Sequence, residues 1–203
     1  FVESLQVLCR QHDILIIADE VQAGYGRTGT FYSWQQLGLI PDIVTLSKPM
    51  AGGLPLSATL IPARVNEQIH IGDHGTTFGG GPVTSAVANR VFDVINEPKF
   101  LDTVAERGKS FESLLDGLKK DFTFAKDVKG MGLLRGLPLA FNPEKTTLMA
   151  EIISSCQYRG LLVLRAGTNI LRFAPPLTVS RKELDQAVEI LREVLTLKAK
   201  EFV

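Results

Sequence analysis

The sequence has no net charge. Its 22 basic residues are matched by 22 acidic ones, whereas a nucleic-acid-binding chain carries a basic excess that steers it to phosphate. It is short of metal ligands as well. The two cysteines, Cys9 and Cys156, stand in no CxxC pattern, and the three histidines, His12, His70 and His74, have no metal-motif spacing. A motif-built zinc site is therefore excluded, and the composition reads as that of an intracellular protein. No apolar run approaches the roughly 18 residues a membrane helix needs. No signal peptide, internal repeat or low-complexity tract is visible. An initiator methionine is missing too, and Val2, Leu5 and Leu8 already fall at helical spacing. The expectation is that the chain is the later part of a longer protein.

What is present is enough for a substantial core. The chain has 203 residues, 45% of them hydrophobic, which suits one large domain or a medium and a small one. After the first helix, the apolar run Ile14 to Ala18, bounded by acids, predicts a buried parallel strand. DIVTLS (42–47) and PLSATLIP (55–62) predict two more, so the first half reads as an α/β sheet. HIGDHGTTFGGGP (70–82) must be a loop, and Pro82 suits the first turn of the helix that follows. A second helix is expected over 101–119. Beyond residue 120 the pattern gives two short strands in FTFAKDVKGMGLLRGLPLAF, a helix around 146–159 and a hairpin from LLVLRAG and NILRFAP. A closing helix follows, with Ser180 and Glu183 as a capping box.

Two charged strand ends carry the chemistry. GYGRTG matches GxGxxG at Gly24, Gly26 and Gly29, yet Asp19 and Glu20 stand just before it, where they would oppose a pyrophosphate. The acid a dinucleotide site wants about 20 residues further on is replaced by Lys48-Pro49. A glycine turn with a structural job fits better. Asp19, at the C-terminal end of an apolar strand, needs a partner. A salt bridge to Arg27 or a helix cap would satisfy it. The next strand ends at Lys48, so neighbouring strands would offer an acid and an amine at one sheet edge. A structural ion pair is one reading; the sharper one is an imine-forming lysine beside the acid that keeps a pyridine nitrogen protonated. HGTTFGGGP, with its hydroxyls and backbone donors before a helix, would suit the phosphate.

Taken in order, ADEVQAGYGRTG, PDIVTLSK, GLPLSA, HGTTFGG and LRFAPPL resemble the class III pyridoxal-phosphate aminotransferases over essentially the whole chain. Within that family the likeness is nearest to acetylornithine aminotransferases, with ornithine aminotransferases close behind. The resemblance implies a fold type I α/β transferase. Residues 1–99 would be the C-terminal part of the cofactor-binding large domain, with a mainly parallel sheet, and 100–203 a small α+β domain. It implies pyridoxal 5'-phosphate as cofactor. A buried Asp19 would pair with the ring nitrogen, and Gln22 would bond near the ring's phenolic oxygen. Lys48 would form the imine and shuttle protons, and Thr77 would reach the phosphate of the neighbouring subunit. Arg172 would clamp the substrate α-carboxylate. Glu20, Arg27 and Gly29 match positions that shape the turn.

The implied reaction moves the terminal amino group of N-acetylornithine, ornithine or a related ω-amino acid to 2-oxoglutarate, in arginine biosynthesis for the first of these. The implied assembly is a homodimer with shared active sites and no nucleic-acid or membrane partner, in the cytoplasm or, for a eukaryotic member, the mitochondrial matrix. The isolated 203 residues are expected to be inactive, because the family's preceding half supplies part of the site. A catalytically silent homologue acting as a partner subunit is the alternative. Two positions depart from the family pattern. Pro49 follows the lysine where glycine is usual, and Gly81 stands where asparagine is usual.

Overall fold

The helical spacing at the chain start forms α1 (Val2–Gln11), which ends as Asp13 takes a φ of 51°. The computed structural model describes residues 1–141 and 147–202. After α1 it places β1 (Ile17–Asp19), β2 (Ile43–Leu46) and β3 (Ala58–Leu60), then α2 (Ala63–Asn66) and α3 (Pro82–Ile95). The strands form one sheet in the order β1-β2-β3. β1 and β2 run parallel, Asp19 opposite Thr45, while β2 and β3 are antiparallel. The parallel pair puts the C-terminal ends of β1 and β2 at the same sheet edge.

The first strand corrects the sequence reading in two respects. It begins at Ile17, and it is not buried: Ile14, Leu15 and Ile17 are 53%, 38% and 60% exposed. The cause is local. The Ile14 N–H still bonds back to Cys9 at the end of α1, and pairing starts only where Ile16 meets Asp42. There the Ile16 N–H donates to Asp42 Oδ2 at 2.9 Å, and Arg64 pairs with the same carboxylate at 2.6 Å. The Ile16 amide, and then Arg64, hold the Asp42 carboxyl below its ordinary range. β1 has a neighbour on one side only, so among the described residues just Ala18 of the strand is buried, against Val44 and Leu46 on the adjacent strand.

A long helix, α4 (Pro98–Gly117), leads into the second half. The chain divides into two units, Phe1–Asp102 and Thr103–Val203, inside this helix. The second unit holds β4 (Lys129–Met131), β5 (Leu134–Pro138), α5 (Leu148–Tyr158), β6 (Leu164–Ala166), β7 (Ile170–Phe173) and α6 (Arg181–Lys198). The N-terminal end expected for α5, at residue 146, lies outside the described residues. Its four strands form an antiparallel sheet in the order β4-β5-β7-β6, so the two short strands and the hairpin expected from the sequence are present and joined through β5 and β7.

Apolar residues at helical spacing close this sheet. Phe111, Leu115, Ile152, Leu184, Leu191 and Leu195 are each 2% exposed or less. Phe111 meets Phe173 of β7 edge-on at 5.6 Å. Arg135, 5% exposed, ties the β4–β5 turn to α4: it donates to the carbonyls of Gly130 and Gly132 and pairs with Glu112 at 3.0 Å. Ser180 caps α6, accepting from the Glu183 amide while the Glu183 carboxylate accepts from the Ser180 N–H at 2.6 Å. No helix among the described residues is long and apolar enough to cross a membrane.

Candidate active site

Asp19 is the last residue of β1, where the strand's alternation turns its side chain away from the Ala18 face. Its Oδ1 accepts from the Val21 N–H at 3.1 Å and from the Thr45 hydroxyl at 3.0 Å. These local donors, not a helix end, engage the carboxylate. Oδ2 has no partner among the described residues, and Asp19 is exposed, not buried as the resemblance implied. It is exposed because β1 is an edge strand whose outer side nothing in this unit covers.

Glu20 behaves in the opposite way. It is 1% exposed, and its carboxylate accepts from the Ser33 amide at 3.0 Å, the Ser33 hydroxyl at 2.5 Å and the Trp34 amide at 3.1 Å. Two of these donors are the free N–H groups at the start of a short 3-10 turn, Ser33–Leu37, and the third is the hydroxyl of its first residue. A buried carboxylate is tolerable with three such partners. The glycine segment wraps this anchor. Gly24 packs so closely that a Cβ would stand 2.9 Å from the Glu20 carbonyl oxygen, and Gly26 takes a φ of 83°. Tyr25 and Phe31, 4% and 7% exposed, meet with their rings tilted by 44° and their centroids 4.9 Å apart. The glycines thus serve a packed turn whose centre is an acid.

Lys48 lies two residues beyond β2 in a turn closed by the Met50 N–H, which donates to the Ser47 carbonyl at 2.7 Å. Pro49 occupies the third position of that turn, where no donor is required, so its missing N–H leaves nothing unpaired. Ala51, 1% exposed, and Gly52, with a φ of 60°, seat the segment; a Cβ on Gly52 would lie 3.5 Å from Val91 of α3. The Lys48 side chain is exposed and forms no ion pair among the described residues. The parallel pairing therefore brings an unpaired amine and a half-engaged carboxylate to one sheet edge, where open α/β sheets bind ligands.

Gln22 is exposed in the turn after Asp19, and its amide has no partner among the described residues. Thr77 lies in the exposed loop 70–80, which leads through the N-cap Gly81 into α3, with Pro82 at the first helical position. Gly81 provides no side-chain cap, where an asparagine would provide one.

Arg172 belongs to the second unit. It sits on β7 opposite Gly136 of β5 and Leu164 of β6, with Leu171 and Phe173 turned into the core. Its Nε is buried without a hydrogen-bond partner. Arg172 also lines a cavity of about 450 Å³ with Phe111, Leu162, Leu164, Phe173 and Pro176. A buried guanidinium nitrogen without an acceptor is costly, and a carboxylate supplied from outside would satisfy it. Arg172 forms no ion pair among the described residues.

This donor set fits pyridoxal phosphate. In the first unit a carboxylate oxygen is left open for a pyridinium N–H and an amine is left free for an aldehyde carbon; in the second unit, taken by itself, a guanidinium nitrogen lacks an acceptor. Sequence reasoning missed Thr45, whose hydroxyl holds Asp19. The alternation of β2, with Val44 and Leu46 buried, was the signal that Thr45 shares the face of Asp19.

The family model described as Aminotransferase class-III matches residues 1–195. Mitochondrial acetylornithine aminotransferase of Eremothecium gossypii is 41% identical over 190 residues, covering 93% of this chain and 44% of the relative. The crystal structure of an acetylornithine aminotransferase from Elizabethkingia anophelis superposes with a TM-score of 0.87 at 32% identity, covering 97% of this chain and 49% of that one. The structure of Plasmodium falciparum ornithine delta-aminotransferase gives 0.86 at 29% identity, with 97% and 50% covered. The chain spans about half the length of the relatives it matches.

Proposed function

The chain belongs to the class III aminotransferases, a family that works with pyridoxal phosphate, and from that premise we propose that it contributes to moving the terminal amino group of N-acetylornithine, or of a related ω-amino acid, to 2-oxoglutarate. The observation that carries this reading is the free Lys48 amine beside the half-engaged Asp19 carboxylate at one edge of the β1–β2 pair. When bound, the cofactor supplies an electron sink for the bond broken at the amine-bearing carbon.

The chain's own residues do the rest. Asp19 Oδ2 would hold the pyridine nitrogen in its protonated form, because a carboxylate beside that N–H favours the cation. Lys48 Nζ would hold the cofactor and would then serve as the base that takes and returns the proton at the substrate carbon. Gln22, in the turn next to Asp19, would bond near the ring's oxygen, and Thr77 would reach the phosphate of a neighbouring subunit. Arg172 grips the α-carboxylate of glutamate and, in the other half-reaction, that of the ω-amino substrate, which fixes the bond to be broken. Sharing of Thr77 between subunits makes the working unit a homodimer. The names of the relatives favour N-acetylornithine over ornithine or 4-aminobutyrate as donor.

The test is a donor panel. The protein as its host makes it, supplied with pyridoxal phosphate and 2-oxoglutarate, is expected to form glutamate fastest with N-acetylornithine. Faster turnover of ornithine or 4-aminobutyrate would move the substrate within the family. No glutamate from any donor, in well-folded dimeric protein, would overturn the reading in favour of a silent partner subunit.

A further inference from the structure

We propose that Thr45 is the positioning residue that decides which oxygen of Asp19 meets the cofactor nitrogen, an inference that rests on the pyridoxal-phosphate reading of Asp19. Thr45 stands opposite Asp19 in the β1–β2 register, on the face away from the buried Val44 and Leu46. Its hydroxyl donates to Oδ1 at 3.0 Å, and the Val21 N–H donates to the same oxygen at 3.1 Å. Two donors, one on β2 and one in the turn after β1, converge on Oδ1 and fix the plane of the carboxylate. Oδ2 is left open, with no partner among the described residues.

A carboxylate with both oxygens free would rotate about its terminal torsion, which is broad and shallow. It would present either oxygen, or a water, to an incoming pyridinium. The bond from Thr45 removes that freedom before the cofactor arrives, so less order is lost on binding. The rest of the face is arranged to permit this. Thr59 on β3 stands opposite Thr45, so Asp19, Thr45 and Thr59 form one row across the three strands. A valine at 45 keeps the shape and β-branching and deletes only the donor.

The experiment is a double-mutant cycle in the full protein, read by equilibrium titration with pyridoxal phosphate and by the absorbance of the bound cofactor as pH is varied. Thr45→Val is expected to weaken cofactor binding about tenfold, the scale of one hydrogen bond to a charged group, and to displace the pH response of the absorbance. Thr45→Ser, which retains the hydroxyl, should restore both. Asp19→Asn should lose more, and adding Thr45→Val to it should cost nothing further, because Thr45 acts through Asp19. Thermal melts of Thr45→Val and Thr45→Ser report any general loss of fold. Additive losses from Thr45→Val and Asp19→Asn would overturn the inference, as would Thr45→Val with unchanged affinity and spectrum beside a damaged Asp19→Asn. An Asp19→Asn variant with normal affinity and spectrum would overturn the Asp19 reading itself and the inference with it.

Discussion

Neighbouring residues in this chain have opposite tasks. Asp19 and Glu20 are adjacent acids, yet Glu20 spends its carboxylate on three donors of the Ser33–Trp34 turn while Asp19 keeps one oxygen open. The pair was legible in the sequence as charge at a strand end, but its division of labour was not, because it depends on a turn 13 residues away. Lys48 was legible for the same reason as Asp19, since a charge ending an apolar run has to have a use. Thr45 was not, since a threonine inside a strand is ordinary. Two predictions belong to this scale. Arg172→Lys should lose about 10–100-fold in kcat/KM for the α-carboxylate substrates, from charge-assisted bonds worth about 1.5–3 kcal/mol; an unchanged value would remove Arg172 from the site. Cys156 is fully buried, and burial raises its thiol to about 11. A thiol reagent at mildly alkaline pH should label it only as the protein unfolds, because the reactive thiolate is scarce and enclosed. Labelling at the rate of a free cysteine in folded protein would contradict the packing around α5.

Among the elements, helices matched the sequence pattern more closely than strands. α3 and α6 begin where Pro82 and Ser180 announce them, because capping chemistry is local. β1 was misplaced because its start is set by a distant partner, the Asp42 carboxylate that receives the Ile16 amide. Apolar residues 14–17 could not reveal that they would be left largely uncovered. Ser180→Ala should destabilise the second unit by about 1 kcal/mol, measured as a shift in its denaturation midpoint; no shift would deny the cap. The box also has a pH signature. The Ser180 backbone N–H, and then its side chain, hold the Glu183 carboxyl below its ordinary value. Its stabilising effect is therefore full above the ordinary carboxylate range and is lost as pH falls through the lowered folded value. Glu183→Gln should flatten that acid limb. Gly24→Ala should destabilise by about 1–3 kcal/mol, because its Cβ would press on the Glu20 backbone oxygen at 2.9 Å, and a urea titration would read the loss.

The molecule as a whole divides into two units, and the relatives it matches are about twice its length. Exposed apolar side chains on the first unit, Ile17 at 60%, Ile71 at 108% and Phe78 at 87%, have no cover among the described residues. Ile71 and Phe78 flank Thr77 in sequence, which favours burial of this loop in an assembly. Sedimentation should therefore find the protein as it exists in the cell as a dimer, and Thr77→Ala should weaken cofactor binding without dissociating it. A monomer that binds cofactor normally would contradict the shared site. The change of pattern in the sequence falls beyond residue 120, whereas the chain divides between Asp102 and Thr103, inside α4. The sheet pairing was less so: DIVTLS and PLSATLIP read as similar strands, but the connection between β2 and β3 contains no crossover helix, which is why they pair antiparallel.

The account turns on Lys48, and one measurement tests it most directly. Protein isolated as its host makes it would be incubated with pyridoxal phosphate, reduced with borohydride, digested and mapped by mass spectrometry, beside a Lys48→Ala variant treated identically. The account predicts a phosphopyridoxyl adduct on the peptide containing Lys48, abolished in the variant, with turnover reduced on the order of 10²–10⁴-fold or more by loss of the proton-transferring amine. A folded dimer that carries no adduct at Lys48, or a Lys48→Ala variant with undiminished turnover, would contradict it.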